Sequence, residues 1–294
     1  MTDRPEIAII GPGKVGTTLG ILAARAGYRV VGVAGRREEP ARAAAEAIGP
    51  DVRSGPADEI AAAAGLVLLT VPDDTIEPLC RRLAEAGAFA SGAVVAHCCG
   101  ALGSEILSPA RERCGAAVGS MHPLQTFPDV SAALERVPGT YFFCEGDEPA
   151  VGVLEALAAA VGGRPVRMSS AGKLLYHASA VMACNYLTAL LDAALATAAC
   201  ADIPAERAAD ALQPLVRATL TNVFSAGTAA ALTGPIARGD DGLVERQFRD
   251  VAAADARLGE IYRALGAWTV ELALRKGTID EAKADRLRAV FARR

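Results

Sequence analysis

Four side chains of this sequence could move a proton, and they belong to its scarce residue types. The 294 residues include only three histidines, and only four of the 30 basic residues are lysines. Lys173 and His177 are four residues apart, so on a helix they share one face. They could bracket a carbonyl oxygen, one as general acid and the other as an orienting donor. The alternative for Lys173 is an ordinary solvated lysine.

The other two histidines stand at the ends of predicted strands. His97 closes the apolar run 93–97, and His122 follows the run 116–120. Ligands of open parallel sheets bind at the carboxyl ends of the strands, so both histidines are candidates for one catalytic crevice. The alternative for either is a polar residue whose hydrogen bonds are satisfied within the protein. No HxH, HExxH or CxxC spacing occurs, so we expect no metal site.

Two residues of the second half are candidates for substrate binding. Asn185 is twelve residues after Lys173, which is about 18 Å along a helix axis. We therefore expect it at the far end of the cleft, in the core or against another subunit. Arg238, in the segment 232–240, could hold a substrate carboxylate with its guanidinium fork. A simple turn is an equally good interpretation of that glycine-containing segment.

A glycine-rich turn follows the first apolar run and precedes an amphipathic segment. In such a turn the first glycine permits the tight bend, the second lets a pyrophosphate approach, and the third allows close helix–strand packing. The free N–H groups of the helix that follows can bind phosphate. The predicted cofactor contacts of this turn are Gly11, Pro12, Gly13, Lys14, Val15 and Gly16.

The end of the second predicted strand distinguishes between two dinucleotides. An NAD site would place an acidic residue there to bind the ribose hydroxyl, whereas this sequence has Arg36 and Arg37. Two guanidinium groups suit a 2′-phosphate, so the sequence favours NADP(H) over NAD. Val71 and Pro72 close a later strand and are predicted to line the same cleft, and Asp73 is predicted to cap the helix that follows.

These residues must be positioned by two halves with different hydrophobic periods. Short apolar runs alternate with amphipathic segments as far as residue 168, which predicts a doubly wound α/β domain with a parallel sheet. From residue 169 onward only helical patterns occur, over 171–200, 205–226, 242–265, 267–276 and 280–291. We therefore predict a nucleotide-binding domain over 1–168 and an all-α domain over 169–294.

The composition excludes several classes of partner. A net charge of -4, without a run of basic residues, excludes a nucleic-acid footprint. The apolar stretches are short or interrupted by polar residues, so we expect no membrane-spanning helix, and the N-terminal residues lack the pattern of a secretory signal. Seven cysteines without a CxxC pair are typical of a reduced, cytoplasmic protein.

Several of these motifs resemble a bacterial family of Rossmann-like NADP oxidoreductases with a C-terminal helical domain of uncertain function. The segments that carry the resemblance are GPGKVG (11–16), VPDD (71–74), GSMHPLQTF (119–127), AGKLLYHASAVMACNY (171–186) and LTGPIARGD (232–240). The broader group includes 6-phosphogluconate and prephenate dehydrogenases, ketopantoate reductases and pyrroline-carboxylate reductases. The resemblance implies a second domain that forms a homodimer, with the active site between domains.

The resemblance also implies a role for Lys173. In β-hydroxyacid dehydrogenases and ketopantoate reductases a helix at this point carries a catalytic lysine, followed four residues later by asparagine. Lys173 matches that lysine, but His177 occupies the asparagine position and Val181 stands where ketopantoate reductases have a second asparagine. These departures leave the substrate open.

Three hypotheses follow from the sequence. The first is an NADPH-dependent reductase of a small 2-keto acid such as ketopantoate, with Lys173 polarising the carbonyl and His177 or His122 assisting. The second is a reductase of a cyclic imine, as pyrroline-carboxylate reductases are. The third is an NADP-binding sensor or assembly protein without turnover.

Overall fold

The apolar runs of the first half form the strands of one eight-stranded sheet. A computed structural model describes residues 4–292 and shows two compact units that divide after Met182. The strands of the first unit are β1 (Ile7–Ile10), β2 (Val30–Ala34), β3 (Arg53–Ser54), β4 (Leu66–Leu69), β5 (Val94–His97), β6 (Ala117–Pro123), β7 (Tyr141–Gly146) and β8 (Arg164–Arg167).

The strand order is β3-β2-β1-β4-β5-β6-β7-β8. Neighbours pair in parallel except at β6 and β7, which are antiparallel. The predicted doubly wound α/β fold is therefore confirmed, although its sheet is mixed rather than wholly parallel, as is common when a large sheet acquires further strands at one edge. The short strand β3, which is exposed and has no apolar run, was not predicted.

Helices cover both faces of this sheet. Strands β1, β2, β4 and β5 are buried throughout, which explains their continuous apolar sequences. The helices are α1 (Lys14–Arg25), α2 (Glu38–Ile48), α3 (Ala57–Ala62), α4 (Asp73–Glu85), α5 (Ser108–Cys114), α6 (Val130–Arg136), α7 (Glu148–Ala160) and α8 (Lys173–Ala183).

The second unit is helical, as predicted, but its helices break at different places. Cys184 interrupts the helix predicted over 171–200, and Asp255 interrupts the one predicted over 242–265 by accepting a bond from the backbone N–H of Arg257. The helices are α9 (Asn185–Ala199), α10 (Ala205–Ala226), α11 (Thr228–Ala231), α12 (Pro235–Arg238), α13 (Asp241–Ala254), α14 (Ala256–Lys276) and α15 (Glu281–Ala292).

The segment Ser170–Ala199 is distinctive for its apolar character. It is the one helical segment of the described residues that is long and apolar enough to cross a membrane by length and composition, with a mean hydropathy of 1.4. One such segment is weak evidence for a span. Its first helical residue, Lys173, is buried against the sheet of the first unit. The compact units consequently divide later than the predicted boundary at 168.

Candidate functional site

The glycine turn between β1 and α1 contains two glycines that the protein itself needs. Gly11 has φ +123°, and a methyl group there would lie 2.5 Å from the carbonyl oxygen of Thr70. A methyl group on Gly16 would collide with Thr70 Oγ1 and with the carbonyl oxygen of Gly11. On Gly13 it would meet only the Thr70 oxygen, at 3.9 Å. The bare backbone at Gly13 therefore serves no internal packing and leaves room for a ligand.

A cavity of about 510 Å³ opens beside this turn. It is bounded on one side by Arg36 and Arg37 and on the other by the residues that follow β4, including Val71 and Pro72. Its lining residues are Ile10, Gly11, Pro12, Gly13, Gly35, Arg36, Arg37, Pro40, Ala57, Thr70, Val71, Pro72, Thr75, Leu79 and Arg82. The predicted Lys14, Val15 and Gly16 belong to the first turn of α1 and do not line it.

Asp73 does not cap α4, so that prediction is wrong. It is the first helical residue, and no side-chain capping bond forms at this helix start. Its carboxylate lies near the thiol of Cys99, whose sulfur accepts from the backbone N–H groups of Ala101 and Leu102 at 3.3 and 3.4 Å. Burial, as the leading cause, raises the pKa of that thiol.

His97 is fully buried, and both of its ring nitrogens have partners. Nδ1 accepts from the backbone N–H of Cys99 at 3.1 Å, and Nε2 lies 3.1 Å from the carbonyl oxygen of Gly103. Burial, followed by the charge of Lys173, lowers its pKa to about 4. His97 is therefore a neutral residue that shapes the loop after β5, and the geometry does not favour the catalytic role considered from sequence.

Lys173 is buried rather than solvated, with 1% of its surface exposed. Its amine donates to the carbonyl oxygen of Cys99 at 3.0 Å, to Ser120 Oγ, and to Glu145 Oε1 at 3.4 Å. These three bonds use all three donors of the ammonium group. No N–H of Lys173 is left for a substrate carbonyl in this arrangement.

Glu145 completes the buried ion pair. It lies on β7 opposite Ser120 of β6, and its side chain is 3% exposed. Its oxygens also accept from the backbone N–H and the hydroxyl of Ser104, at 2.9 and 2.8 Å. Burial lowers the pKa of Lys173, and the charge of Glu145 opposes that shift. The pair fixes the start of α8 to the sheet.

His122 is half-buried at the end of β6 and is oriented by Tyr176. Its Nδ1 lies 2.8 Å from the Tyr176 hydroxyl, and the Tyr176 ring packs on Phe143 with centroids 4.3 Å apart. Burial, as the leading cause, lowers the pKa of His122 to about 4, with smaller contributions from His177 and Lys173. Burial raises the pKa of Tyr176. At pH 7, therefore, the tyrosine is protonated and the imidazole is neutral.

His177 faces the same point as His122. The two rings are 5.8 Å apart at an angle of 78°. A methyl group on Gly100 would lie 2.5 Å from His177 Nδ1 and 2.8 Å from His122 Nε2. His177 Nδ1 is buried and has no hydrogen-bond partner among residues 4–292. A buried polar atom without a partner is costly, so this nitrogen calls for a water molecule or a ligand as its partner.

The two remaining candidates belong to the second unit. Asn185 is exposed at the start of α9, and Arg238 is exposed at the end of the four-residue helix α12. Their substrate-binding roles stay predictions.

Sequence reasoning missed three residues that shape this site. Glu145 lies within the apolar strand β7, where a charge among buried residues was a usable signal. Tyr176, next to His177, shares the segment that drew attention to Lys173. Gly100 follows the adjacent cysteines Cys98 and Cys99 and belongs to no recognisable motif. Only the converging histidine rings in the structure explain why this residue is glycine.

Comparisons with known proteins agree with this architecture. Residues 1–123 match the Rossmann-like domain family, and residues 140–269 match the family described as a domain of unknown function, DUF2520. A comparison of the sequence with curated proteins gives no significant match.

Similar solved structures cover nearly the whole chain. A protein from Bacteroides fragilis, whose name gives NADP oxidoreductase as a provisional activity, is 23% identical, with a TM-score of 0.72 over 91% of this chain and 98% of that one. A Thermotoga maritima protein named without a function is 24% identical, with a TM-score of 0.70 over 92% and 99%. A reductive aminase from Aspergillus terreus, in complex with NADPH and ethyl-5-oxohexanoate, is 16% identical, with a TM-score of 0.64 over 97% and 98%. At this identity the likeness shows a shared fold.

Proposed function

Since residues 1–123 match the Rossmann-like domain family and residues 140–269 match the domain of unknown function DUF2520, we propose that the protein is an NADP(H)-dependent oxidoreductase that reduces a small carbonyl or imine substrate. One observation carries the proposal. At the edge of the sheet that holds the open glycine turn, His122 of β6 meets His177 of α8, whose Nδ1 is buried without a partner among residues 4–292.

The residues around the turn fit a dinucleotide phosphate. Gly13 lacks a side chain although nothing in the protein fills that space, and a pyrophosphate at the start of α1 would meet free N–H groups. Arg36 and Arg37 would bind the 2′-phosphate as fork donors. When bound, NADPH supplies the hydride. The names of the Bacteroides and Aspergillus proteins support the same cofactor.

His122 is the group that we place at the substrate oxygen or nitrogen. We assign the hydroxyl of Tyr176 as the donor to His122 Nδ1, 2.8 Å away, which places the proton of the neutral ring on Nε2. A neutral imidazole N–H aimed at a carbonyl polarises it without the cost of a buried cation. As negative charge develops on the substrate, Nε2 gives up its proton while Nδ1 takes the proton of Tyr176. After the product leaves, Nδ1 returns that proton to Tyr176 and Nε2 takes one from solvent, which restores the starting state.

His177 then orients the substrate, through the nitrogen that the protein leaves unpartnered. This arrangement gives His122 the acid role that the sequence suggested for Lys173. The full use of the Lys173 donors supports that change.

Two substrate classes follow, and both are proposals. The resemblance to ketopantoate reductases favours a small 2-keto acid, with ketopantoate as the first compound to test. The structural likeness to a reductive aminase favours a C=N bond, and the resemblance to pyrroline-carboxylate reductases favours a cyclic imine.

The test is NADPH oxidation by the purified protein with ketopantoate and, separately, with 1-pyrroline-5-carboxylate, with NADH as the control. We expect turnover with one of them and NADPH. His122→Gln should lower kcat by about 100-fold while NADPH binding is unchanged. Because His122 is already neutral, kcat/KM should stay level between pH 6 and 8. Failure to oxidise NADPH with either compound, although NADPH binds, would favour the sensor hypothesis instead.

We also infer a cytoplasmic homodimer in which a second copy covers the apolar residues exposed on α8 and α9. Leu174, Leu175, Met182 and Tyr186 are between 62% and 79% exposed in the single chain. Exposed apolar surface of this extent is typical of an interface. Sedimentation equilibrium should give twice the mass of the 30.1 kDa chain, and Leu175→Glu should give the monomer. A wild-type monomer would contradict the inference.

A further inference from the structure

A third arginine faces the cavity that holds Arg36 and Arg37. Arg82 lies nine residues into α4, far along the chain from the glycine turn. Thr75, Leu79 and Arg82 line the cavity together. Their spacing of four and three residues places them on one face of the helix, so this face of α4 forms a wall of the cavity opposite the end of β2.

None of the three arginines has an anionic partner among the residues that the structure describes. Among residues 4–292, Arg36, Arg37 and Arg82 form no ion pair, whereas the neighbouring Arg81 is paired with Glu77 at 2.7 Å. Glu38 and Glu39, the nearest acidic residues to Arg37 in sequence, do not line the cavity. Three unpaired positive side chains around one cavity repel each other unless an anion binds between them.

Apolar side chains also line this cavity. Pro40, Ala57 and Leu79 line the cavity next to the arginines. Apolar side chains of this kind suit the face of an adenine ring, and the phosphate on its ribose would then lie among the guanidinium groups. Arg82 lies in the last turn of α4, where a cation also suits the helix dipole, whereas Arg81 does not line the cavity.

We propose that Arg82 is a specificity-determining residue that binds the 2′-phosphate of the dinucleotide from the α4 side, together with Arg36 and Arg37 on the β2 side. The inference rests on the proposed NADP(H)-dependent function and adds a contact that the glycine turn and the β2 end do not provide. In this proposal Arg82 contacts the 2′-phosphate and does not stack on the face of the adenine ring.

The experiment compares Arg82→Leu with the matched control Arg81→Leu in the full-length protein. Dissociation constants are measured by calorimetry for NADPH, NADH, adenosine 2′,5′-bisphosphate and ADP. We expect Arg82→Leu to raise the dissociation constants of NADPH and adenosine 2′,5′-bisphosphate by about tenfold. The dissociation constants of NADH and ADP should stay within about twofold of the wild-type values. Arg81→Leu should leave all four dissociation constants within about twofold of the wild-type values. Arg82→Lys should recover most of the lost NADPH affinity because it keeps the charge.

Each contrary result has a separate meaning. Equal weakening of NADPH and NADH by Arg82→Leu would place Arg82 against the adenine ring and overturn the proposal. An unchanged NADPH affinity in that variant, with a wild-type preference for NADPH, would overturn the role of Arg82 and leave the proposed function standing. A wild-type protein that binds neither dinucleotide would overturn both.

Discussion

The role of Lys173 depends on where its charge is neutralised. A lysine with three internal acceptors, one of them the buried Glu145, holds the start of α8 in place. His177 follows one turn later on the same helix. We therefore regard Lys173 as a positioning residue for His177, and Glu145 as its counter-ion.

A double-variant cycle tests this interpretation. Lys173→Met leaves the Glu145 carboxylate without its cation, so we expect the free energy of unfolding to fall by about 3–5 kcal/mol. Glu145→Gln in the same chain should restore part of that loss, because the buried charge is then removed. Urea denaturation of the wild type, both single variants and the double variant measures the coupling. Additive losses would show that the two residues do not act as a pair.

Lys173 also shows how far sequence reasoning reaches. A scarce lysine in the first turn of a helix is an anomaly, and the sequence correctly marks it as worth explaining. The explanation depends on Glu145 and Ser120, which the pairing of β6 with β7 brings opposite each other. No local pattern predicts that antiparallel pair, so solvation and catalysis remained the only alternatives.

At the scale of elements, the turn between β1 and α1 was predictable because its function is local. Three glycines, a preceding apolar run and a following helix are adjacent in sequence, as are Arg36 and Arg37 at the end of β2. The two helix breaks were not predictable in the same way. Cys184 interrupts an apolar helix without a glycine or proline, and only tertiary packing decides that point.

The glycines of the turn should respond differently to the same substitution. Gly13 has φ -82° and open space around it, so Gly13→Ala should change the free energy of unfolding by less than about 1 kcal/mol. The same substitution should raise the dissociation constant of NADPH by at least about tenfold. Gly16→Ala meets Thr70 and Gly11 and should cost about 1–3 kcal/mol in stability. Urea denaturation and NADPH calorimetry on both variants measure the contrast. If Gly13→Ala binds NADPH as tightly as the wild type, the proposal that this turn binds the phosphate is contradicted.

For the whole molecule, the buried histidines predict how stability depends on pH. His97 and His122 have pKa values of about 4 in the folded protein, below the ordinary value near 6.5. The unfolded chain binds more protons below pH 6.5, so stability is complete above that pH and declines as the pH falls toward 4.

His97 contributes on the order of 2 kcal/mol to that decline at pH 5. Denaturation at pH 7 and pH 5 should show the loss in the wild type and a smaller loss in His97→Gln, whose amide can replace both ring contacts. The same loss in the variant would assign the pH dependence to other groups.

The central claim is that the first unit is built to bind NADP(H). Calorimetric titration of the wild-type protein with NADPH and with NADH tests it most directly. The open turn at Gly13 and the arginines around the cavity predict one NADPH per chain, bound at least about tenfold more tightly than NADH. Binding of neither dinucleotide, or tighter binding of NADH, would contradict the claim.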